Sequence, residues 1–185
     1  AHRYAVRGEL GRGGKGRVSL ALDHNLGREV AVKTLLTPDS VTRGQVRRFV
    51  QEARITAQLD HPSVVPVYEL GITPAGELFY TMKRVQGTAL SRILRGLRHL
   101  DREVVDSFPL GRLMRVFGSI CLTVAYAHDR GVVHRDIKPD NVMVGAYGEV
   151  LLMDWGFATV IGEDGADAHD PRGLYGTPGY VAPER

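Results

Sequence analysis

The stretch HRDIKPDN at residues 134–141 is the chain's densest group of residue types that can do chemistry. It contains Asp136, Lys138 and Asn141, and Asp154 follows at the end of the apolar run EVLLMD. An amide oxygen and a carboxylate suit Mg²⁺, which commonly takes one or two protein oxygens together with phosphate. Asp136 is then free to accept a proton from a hydroxyl, and Lys138 to contact a transferring phosphate. Each residue alone is typical of a surface turn, but together they indicate phosphoryl transfer.

A second candidate group is the glycine-rich stretch GRGGKGRV at residues 11–18. Glycines in a turn let backbone N–H groups approach phosphate oxygens without Cβ clashes. The pattern predicts that a strand follows, whereas a dinucleotide-binding fold would need a helix there. Lys33 lies on the strand after this hairpin, and a buried ammonium group needs a carboxylate partner. The predicted partner is Glu52, on the helix that follows.

The elements that must position these groups change in character along the chain. Up to residue 85, alternating apolar residues predict β-strands, as in GRVSLALDH and REVAVKTLL, with one helix over about 43–59. Beyond it a helix over 110–130 is predicted, followed by two short strands, NVMV and EVLLMD. This order predicts an α+β fold with two lobes, residues 1–85 and 86–185, and a crevice between them.

Two further predictions concern the interior of the second lobe. Helical spacing puts one set of apolar residues on a single face of the helix, namely Leu113, Phe117, Ile120, Val124 and Ala127. Cys121 has apolar neighbours and is predicted to be a small core residue. It is the single cysteine, so no intrachain disulfide can form and a reducing compartment fits best.

Composition argues against several classes of function. The 185 residues carry a net charge of +3, and the basic residues are spread along the chain. We therefore expect no nucleic-acid interface, and an arginine-rich nucleic-acid binder is kept only as an alternative. No apolar run approaches the roughly 20 residues of a spanning helix, so no membrane segment is expected in this chain. One thiol without clustered histidines argues against a zinc-type site.

The motifs as a set resemble the eukaryote-type protein kinases, and most of all the bacterial serine/threonine kinases of that family. The family's glycine-rich loop matches Gly11, Gly13, Gly16 and Val18, and its paired lysine and glutamate match Lys33 and Glu52. Its catalytic loop matches His134-Arg135-Asp136 with Asn141, and its metal-binding motif matches Asp154-Trp155-Gly156. Its closing signature matches Ala182-Pro183-Glu184. The motifs occur in the family's order across the whole chain.

The resemblance implies an ATP-dependent serine/threonine protein kinase that transfers the γ-phosphate of Mg-ATP to a protein hydroxyl. Asp136 would be the catalytic base and Lys138 would contact the phosphate. Lys33, paired to Glu52, would hold the α- and β-phosphates. Lys138 and Thr177 both indicate the serine/threonine class.

The resemblance also implies a metal site and an activation loop. Asn141 and Asp154 would bind Mg²⁺, with Mn²⁺ as an alternative ion. Arg135 and Thr177 would belong to the activation and substrate-binding region. The partner would be a protein substrate that presents a serine or threonine.

The implied ATP site combines the glycine-rich loop with the residues that would surround the adenine. Its members are Leu10, Gly11, Arg12, Gly13, Gly14, Lys15, Gly16, Arg17, Val18, Ala31, Lys33, Met82, Lys83, Val85 and Met143. Met82 would be the gatekeeper, and residues 83–85 would form the hinge. Lys15 and Arg17 add positive charge near the phosphates, although we expect both side chains to point to water.

Some positions depart from the family's pattern. Trp155 replaces the usual phenylalanine, and Thr56 stands where the family usually has an apolar residue. The chain stops at Arg185, directly after the closing signature, so we expect a catalytic fragment with a truncated second lobe. Such a fragment is expected to expose apolar surface over 110–130 and to self-associate.

The alternative function is a nucleotide-binding but catalytically silent regulator or scaffold. The expected location is cytoplasmic, with any membrane anchor outside this segment.

Overall fold

Strands dominate the first part of the chain and helices the second, as the spacing of apolar residues predicts. The computed structural model describes residues 3–13, 16–35, 41–162 and 176–181. The chain divides into two compact units, Ala1–Asp60 with Val65–Val85, and His61–Val64 with Gln86–Arg185. Residues 61–64 therefore group with the second unit, whereas the predicted boundary after residue 85 places them in the first.

The first unit is built on an antiparallel sheet with the strand order β1-β2-β3-β5-β4. The strands are β1 Tyr4–Gly13, β2 Gly16–Asp23, β3 Arg28–Thr34, β4 Val67–Ile72 and β5 Leu78–Lys83. Alternation in β2 and β3 puts Ala21, Val30 and Val32 into one buried cluster, against which Tyr4 and Phe79 pack. Because this cluster fixes one face of the sheet, the alternate residues of β3 lie on the opposite face.

The helix α1, Arg43–Gln58, confirms the prediction of a helix over about 43–59. A capping box starts it, because the Gln45 N–H donates to the Thr42 hydroxyl and the Thr42 N–H donates to the Gln45 side chain. Its buried residues are Phe49, Glu52, Ala53, Ile55 and Thr56. Phe49 and Ala53 pack into a core cluster with Leu35 and Tyr80. The buried side of α1 thus carries a carboxylate among apolar groups.

The second unit combines helices with short strands. Within the described residues its helices are α2 Leu90–Arg98, α3 Arg102–Ser107 and α4 Leu110–Asp129. Its strands are β6 Thr88–Ala89, β7 Val132–Val133, β8 Val142–Val144, β9 Val150–Leu152 and β10 Thr159–Val160. Strands β6, β8 and β9 form one antiparallel sheet, and β7 pairs with β10. The two strands predicted from NVMV and EVLLMD are β8 and β9, which form a hairpin.

Helix α4 has the predicted length, and its burial agrees with the predicted side except at Phe117: Ala127 is buried and Leu113, Ile120 and Val124 are half-buried. Its buried residues are Val116, Thr123 and Ala127, whereas Phe117 is 59% exposed and Cys121 is also exposed. The predictions that Phe117 faces the core and that Cys121 is a core residue are therefore wrong. The helix has apolar residues on more than one side, and contact with β7 and β9 decides which side is buried. The expected self-association through its exposed apolar side stays a prediction.

By length and composition alone, α4 could cross a membrane, and it is the one such helix in the part of the chain that the structure describes. Core helices of soluble proteins meet the same criteria. Arg112 and Arg115 interrupt the apolar residues of α4, and a single helix of this kind is weak evidence for a membrane span.

Candidate active site

The HRDIKPDN stretch forms a loop between β7 and β8 that turns back on itself. Arg135 has a left-handed backbone with φ of 67°, a conformation that is costly for a residue with a Cβ. Pro139 begins a 3₁₀ turn that runs to Asn141, and the Asn141 N–H donates to the Lys138 carbonyl at 3.0 Å. The turn therefore returns Asn141 to the side of Asp136.

Asp136 is the centre of a hydrogen-bond network in this loop and is 3% exposed. The Asn141 amide Nδ2 donates to the Asp136 backbone carbonyl at 2.8 Å and to its Oδ2 at 3.0 Å. The Thr177 hydroxyl donates to Asp136 Oδ1 at 2.7 Å, and Lys138 Nζ lies 3.1 Å from Oδ2. Lys138 also donates to the Thr177 hydroxyl. Both carboxylate oxygens have fixed partners, so the orientation of the side chain is fixed as well.

A glycine allows Thr177 to come this close to the catalytic loop. Gly176 has φ of 130°, a conformation that favours glycine. A Cβ at this position would lie 2.9 Å from Val181 Cγ2 and 3.3 Å from the Arg135 carbonyl oxygen. Thr177 is therefore placed by a backbone approach that only glycine permits.

The environment of Asp136 favours its ionised form. Burial raises its pKa, but hydrogen bonds from Thr177, Lys138 and Asn141 together lower it more, and the net pKa lies below the usual 3.8. The carboxylate is therefore a hydrogen-bond acceptor at neutral pH. It can orient a hydroxyl and take up its proton once the hydroxyl oxygen begins to bond elsewhere.

Replacing Thr177 by valine should lower kcat/KM for phosphate transfer about 10- to 100-fold. Valine has the same shape but cannot donate to Asp136 Oδ1, and a hydrogen bond to a charged group is worth about this factor. Thr177→Ser keeps the hydroxyl and should stay within about threefold of the unmodified protein. Steady-state kinetics on both variants checks this, and equal loss in the two variants would show that the hydroxyl is not the important group.

His134 connects the catalytic loop to the segment after β9. The Asp136 backbone N–H donates to its Nδ1 at 3.2 Å, so Nδ1 carries no proton and Nε2–H donates to the Met153 carbonyl at 3.0 Å. The ring packs edge-on against Trp155, with centroids 4.6 Å apart, and both residues are buried. Trp155 Nε1 donates to the Leu152 carbonyl at 3.2 Å, so the larger aromatic ring has its polar group satisfied.

The stability of the protein should fall as pH drops below about 6.5, with His134 as a main contributor. Burial lowers the pKa of His134 below its usual 6.5. At pH values between the pKa of His134 in the folded protein and its higher pKa in the unfolded chain, the unfolded chain binds more protons. The free energy of unfolding therefore rises with pH in that range. Thermal unfolding measured from pH 7 to pH 5 should show this slope. The slope should be smaller in His134→Asn, and an unchanged slope would assign the effect to other groups.

The candidate metal ligands Asn141 and Asp154 are connected across the β8–β9 hairpin. The Met153 N–H donates to the Asn141 carbonyl at 2.7 Å, and Asp154 follows with a left-handed backbone, φ 54°. Asn141 Nδ2 donates to Asp136, so Oδ1 is the atom of the amide that would bind a cation. The Asp154 carboxylate is exposed and accepts a hydrogen bond from the Gly156 N–H at 3.3 Å. An amide oxygen and a carboxylate fit Mg²⁺.

Clusters of three or more His, Cys, Asp or Glu side chains that could hold a metal are absent from the described residues. Mg²⁺ keeps several waters and uses one or two protein oxygens together with phosphate. The two candidate ligands suit an ion that arrives with a nucleotide better than one held by the protein alone.

In the first unit, the predicted ion pair between Lys33 and Glu52 is present. Lys33 Nζ donates to Glu52 Oε1, and the two side chains are 12% and 6% exposed. The Tyr80 hydroxyl donates to the same oxygen at 2.8 Å. Thr56, one turn further along α1, donates its hydroxyl to the Glu52 carbonyl at 2.7 Å, which satisfies a buried polar group at a position that is usually apolar in the family.

Tyr80 is a site residue that sequence reasoning did not find. It lies directly opposite Lys33 in the register of β3 and β5. Directly opposed residues of antiparallel strands point to the same face of the sheet. Aligning the two predicted strands would have placed Tyr80 beside Lys33. However, β4 lies between them in sequence, so the pairing of β5 with β3 does not follow from the order of the strands along the chain.

Several predicted nucleotide-binding residues share the sheet face of Lys33. Val18 lies opposite Lys33, and Ala31 lies opposite Met82. Ala31 and Lys33 are two positions apart on β3, so all four side chains point the same way. The structure thus brings together a lysine and an apolar surface on one face of the first unit.

The hairpin of β1 and β2 carries the glycine-rich stretch. A Cβ at Gly11 or Gly13 would meet no atom within 4 Å, so the backbone there is open to an approaching phosphate. A Cβ at Gly16 would lie 2.5 Å from the Thr34 carbonyl oxygen, so glycine is required there by the close approach of β3. Gly14 and Lys15 lie outside the described residues.

The other described residues of this stretch that were predicted to bind ATP, Leu10, Arg12 and Arg17, differ in exposure and in contacts. Leu10 is half exposed on β1, and Arg12 is exposed and paired with Glu9 at 3.3 Å. Arg17 is half-buried and its Nε is buried, so the expectation that this side chain points to water is wrong for that atom. None of these contacts assigns the three side chains to a phosphate.

The remaining predicted nucleotide residues lie on other parts of the fold. Lys83 pairs with Val30, which places its exposed side chain on the sheet face opposite to Lys33. Val85 ends the first unit, and Met143 lies on β8 of the second unit, opposite Leu151. The closing signature at 182–184 lies outside the described residues.

Residues 4–185 match the protein kinase domain family. The chain belongs to this family. The α+β fold with two lobes that the resemblance implied is thereby confirmed. This kinase domain is 36% identical to the serine/threonine-protein kinase PknD of Chlamydia pneumoniae over 201 aligned residues, which cover 99% of this chain and 21% of the relative. It is 39% identical to the protein of the same name from Protochlamydia amoebophila (strain UWE25), and the alignment covers 98% of this chain and 20% of that relative.

The kinase domain spans about a fifth of the length of these curated relatives. Family membership therefore rests on the domain itself. What the relatives' remaining segments do is a separate matter.

Proposed function

We propose that this chain is the catalytic part of an ATP-dependent serine/threonine protein kinase. The observation that carries the proposal is the network around Asp136, in which Thr177, Lys138 and Asn141 hold both carboxylate oxygens. A network of this kind leaves a buried carboxylate ionised and oriented. Orientation of an acceptor is the main requirement of phosphoryl transfer to a hydroxyl.

In the proposed reaction, Asp136 accepts a hydrogen bond from the substrate hydroxyl and takes its proton. The hydroxyl oxygen forms a bond to the γ-phosphorus of ATP, and the bond between that phosphorus and the bridging oxygen breaks. ADP leaves with the bonding electron pair. Lys138 lies beside Asp136 and supplies positive charge where the transferring phosphoryl group would carry negative charge.

The nucleotide would be bound through the residues that the structure groups around Lys33. Its ammonium group would contact the α- and β-phosphates, and the apolar surface of Val18, Ala31 and Met82 suits an adenine ring. The open backbone at Gly11 and Gly13 supports a role in phosphate binding. Mg²⁺, when bound by Asn141 and Asp154, would neutralise charge on the β- and γ-phosphates.

The proposed substrate is a protein that presents serine or threonine. Two relatives are named serine/threonine-protein kinases, which supports this class. The contact of Lys138 with Thr177 is a second support, because the resemblance associates both residues with that class.

The purified protein, incubated with Mg-ATP labelled in the γ-phosphate and with a basic protein, tests the proposal. We expect label on serine and threonine and none on tyrosine, and labelling that is slower by about 10²- to 10⁴-fold in the Asp136→Asn variant. Nucleotide binding without transfer would favour the silent regulator instead. Absence of both binding and transfer would overturn the proposal.

A further inference from the structure

Glu52 Oε1 accepts two hydrogen bonds, and both donors come from one cross-strand pair. Lys33 on β3 and Tyr80 on β5 lie directly opposite each other, and each reaches the same carboxylate oxygen. Lys33 Nζ lies 5.7 Å from the centroid of the Tyr80 ring, which adds a cation–π contact. The ion pair is therefore part of a three-residue arrangement.

Tyr80 holds α1 through two different parts of its side chain. Its ring packs against Phe49 at a centroid distance of 5.2 Å, while its hydroxyl bonds to Glu52. Phe49 and Glu52 are three positions apart on the helix and so lie on the same side. Tyr80 is 4% exposed, so this contact is inside the core and water does not compete for it.

The two donors to Glu52 are not equivalent. Under the proposed function Lys33 also binds phosphate, so its ammonium group has a second partner when nucleotide is present. The phenol of Tyr80 is held by the ring packing and keeps its direction toward Glu52. Tyr80 can therefore hold the carboxylate while Lys33 divides its hydrogen bonds between Glu52 and the nucleotide.

We propose that Tyr80 is a positioning residue for nucleotide binding. Its hydroxyl holds Glu52 in the orientation that directs Lys33 to the phosphates. This inference rests on the proposed function, in which Lys33 binds ATP. It assigns a role to the hydroxyl alone, because a phenylalanine would keep the ring contact with Phe49.

The test compares Tyr80→Phe with Tyr126→Phe in steady-state kinetics and in calorimetric binding of Mg-ADP. Tyr126 is a matched control, because its hydroxyl is also buried but has no hydrogen-bond partner among the described residues. We expect Tyr80→Phe to raise KM for ATP and the Kd of Mg-ADP about five- to tenfold, with kcat within about twofold, since one hydrogen bond to a charged group is lost. Tyr126→Phe should change neither value by more than about twofold. A purely structural role would instead reduce the active fraction and leave KM and Kd unchanged.

A double-mutant cycle with Glu52→Met, which keeps the length of the side chain but removes the acceptor of the Tyr80 hydroxyl, establishes whether Tyr80 acts through Glu52. If it does, Tyr80→Phe should weaken nucleotide binding far less in the Glu52→Met background than in the unmodified protein. Full additivity, or unchanged KM and Kd in Tyr80→Phe, would overturn the inference while leaving the kinase proposal in place.

If the unmodified protein bound no nucleotide, the proposed function would fail and the positioning role of Tyr80 would fail with it. The same cycle in thermal unfolding would then report separately on the hydrogen bond. Non-additive Tm shifts would show that Tyr80 and Glu52 interact in the folded protein, although the contact would then have no role in nucleotide binding.

Discussion

Replacing Asp136 by asparagine should lower the rate of phosphate transfer by about 10²- to 10⁴-fold, the usual contribution of a positioned general base. The asparagine has nearly the same shape but cannot take up the hydroxyl proton. It also loses the charge that Lys138 and the Thr177 hydroxyl face in the structure. Affinity for Mg-ADP should stay within about threefold. Single-turnover transfer measured beside calorimetric binding separates the two effects.

Asp140→Asn is the matched control for this substitution. It makes the same change from carboxylate to amide in the same loop, but Asp140 is exposed, whereas Asp136 is buried. Its transfer rate should stay within about twofold of the unmodified protein. Comparable losses in both variants would mean that the net charge of the loop matters and that Asp136 is not the base.

Replacing Lys33 by methionine should abolish nucleotide binding. It should also lower the free energy of unfolding by about 3 kcal/mol. Removing one partner of a buried ion pair leaves the other charge uncompensated, and this usually costs about 3–5 kcal/mol. The lower end applies because the Tyr80 hydroxyl still donates to Glu52. Chemical denaturation with a fluorescence readout measures the stability, and calorimetry measures the loss of binding.

Adding Glu52→Gln to Lys33→Met should separate the loss of stability from the loss of nucleotide binding. In the Lys33→Met, Glu52→Gln protein no charge is buried at this place, and the glutamine can still accept from Tyr80. Most of the lost stability should return, since replacing both members of a buried pair is often neutral. Nucleotide binding should not return. Recovery of binding would contradict the role of Lys33, and failure to recover stability would show that the cost has another origin.

Reasoning from sequence reached the Lys33–Glu52 pair and the Asp136 loop because each follows from local rules. A lone lysine on an apolar strand needs a carboxylate, and the next helix offers one on its buried side. The residues Asp136, Lys138 and Asn141 are close in sequence, so a single turn brings them together. Short separation in the chain is the reason that these parts could be predicted.

Helix α4 shows where such reasoning stops. Its apolar residues occupy several sides, so helical spacing allows more than one choice of buried face. The choice is made by β7 and β9, which pack against the side that carries Val116 and Ala127. Phe117 and Cys121 were therefore assigned wrongly from an ambiguous pattern, whereas Ala127 of the same predicted side is buried.

By itself the sequence determined membership of the protein kinase family, since the types and the order of the motif residues suffice to indicate it. Only the tertiary structure decided that Tyr80 shares Glu52 with Lys33 and that Thr177 holds Asp136. Both contacts join positions far apart in the chain. They depend on the register between two strands and on what the backbone at Gly176 approaches, and neighbouring residues in the sequence show neither of these.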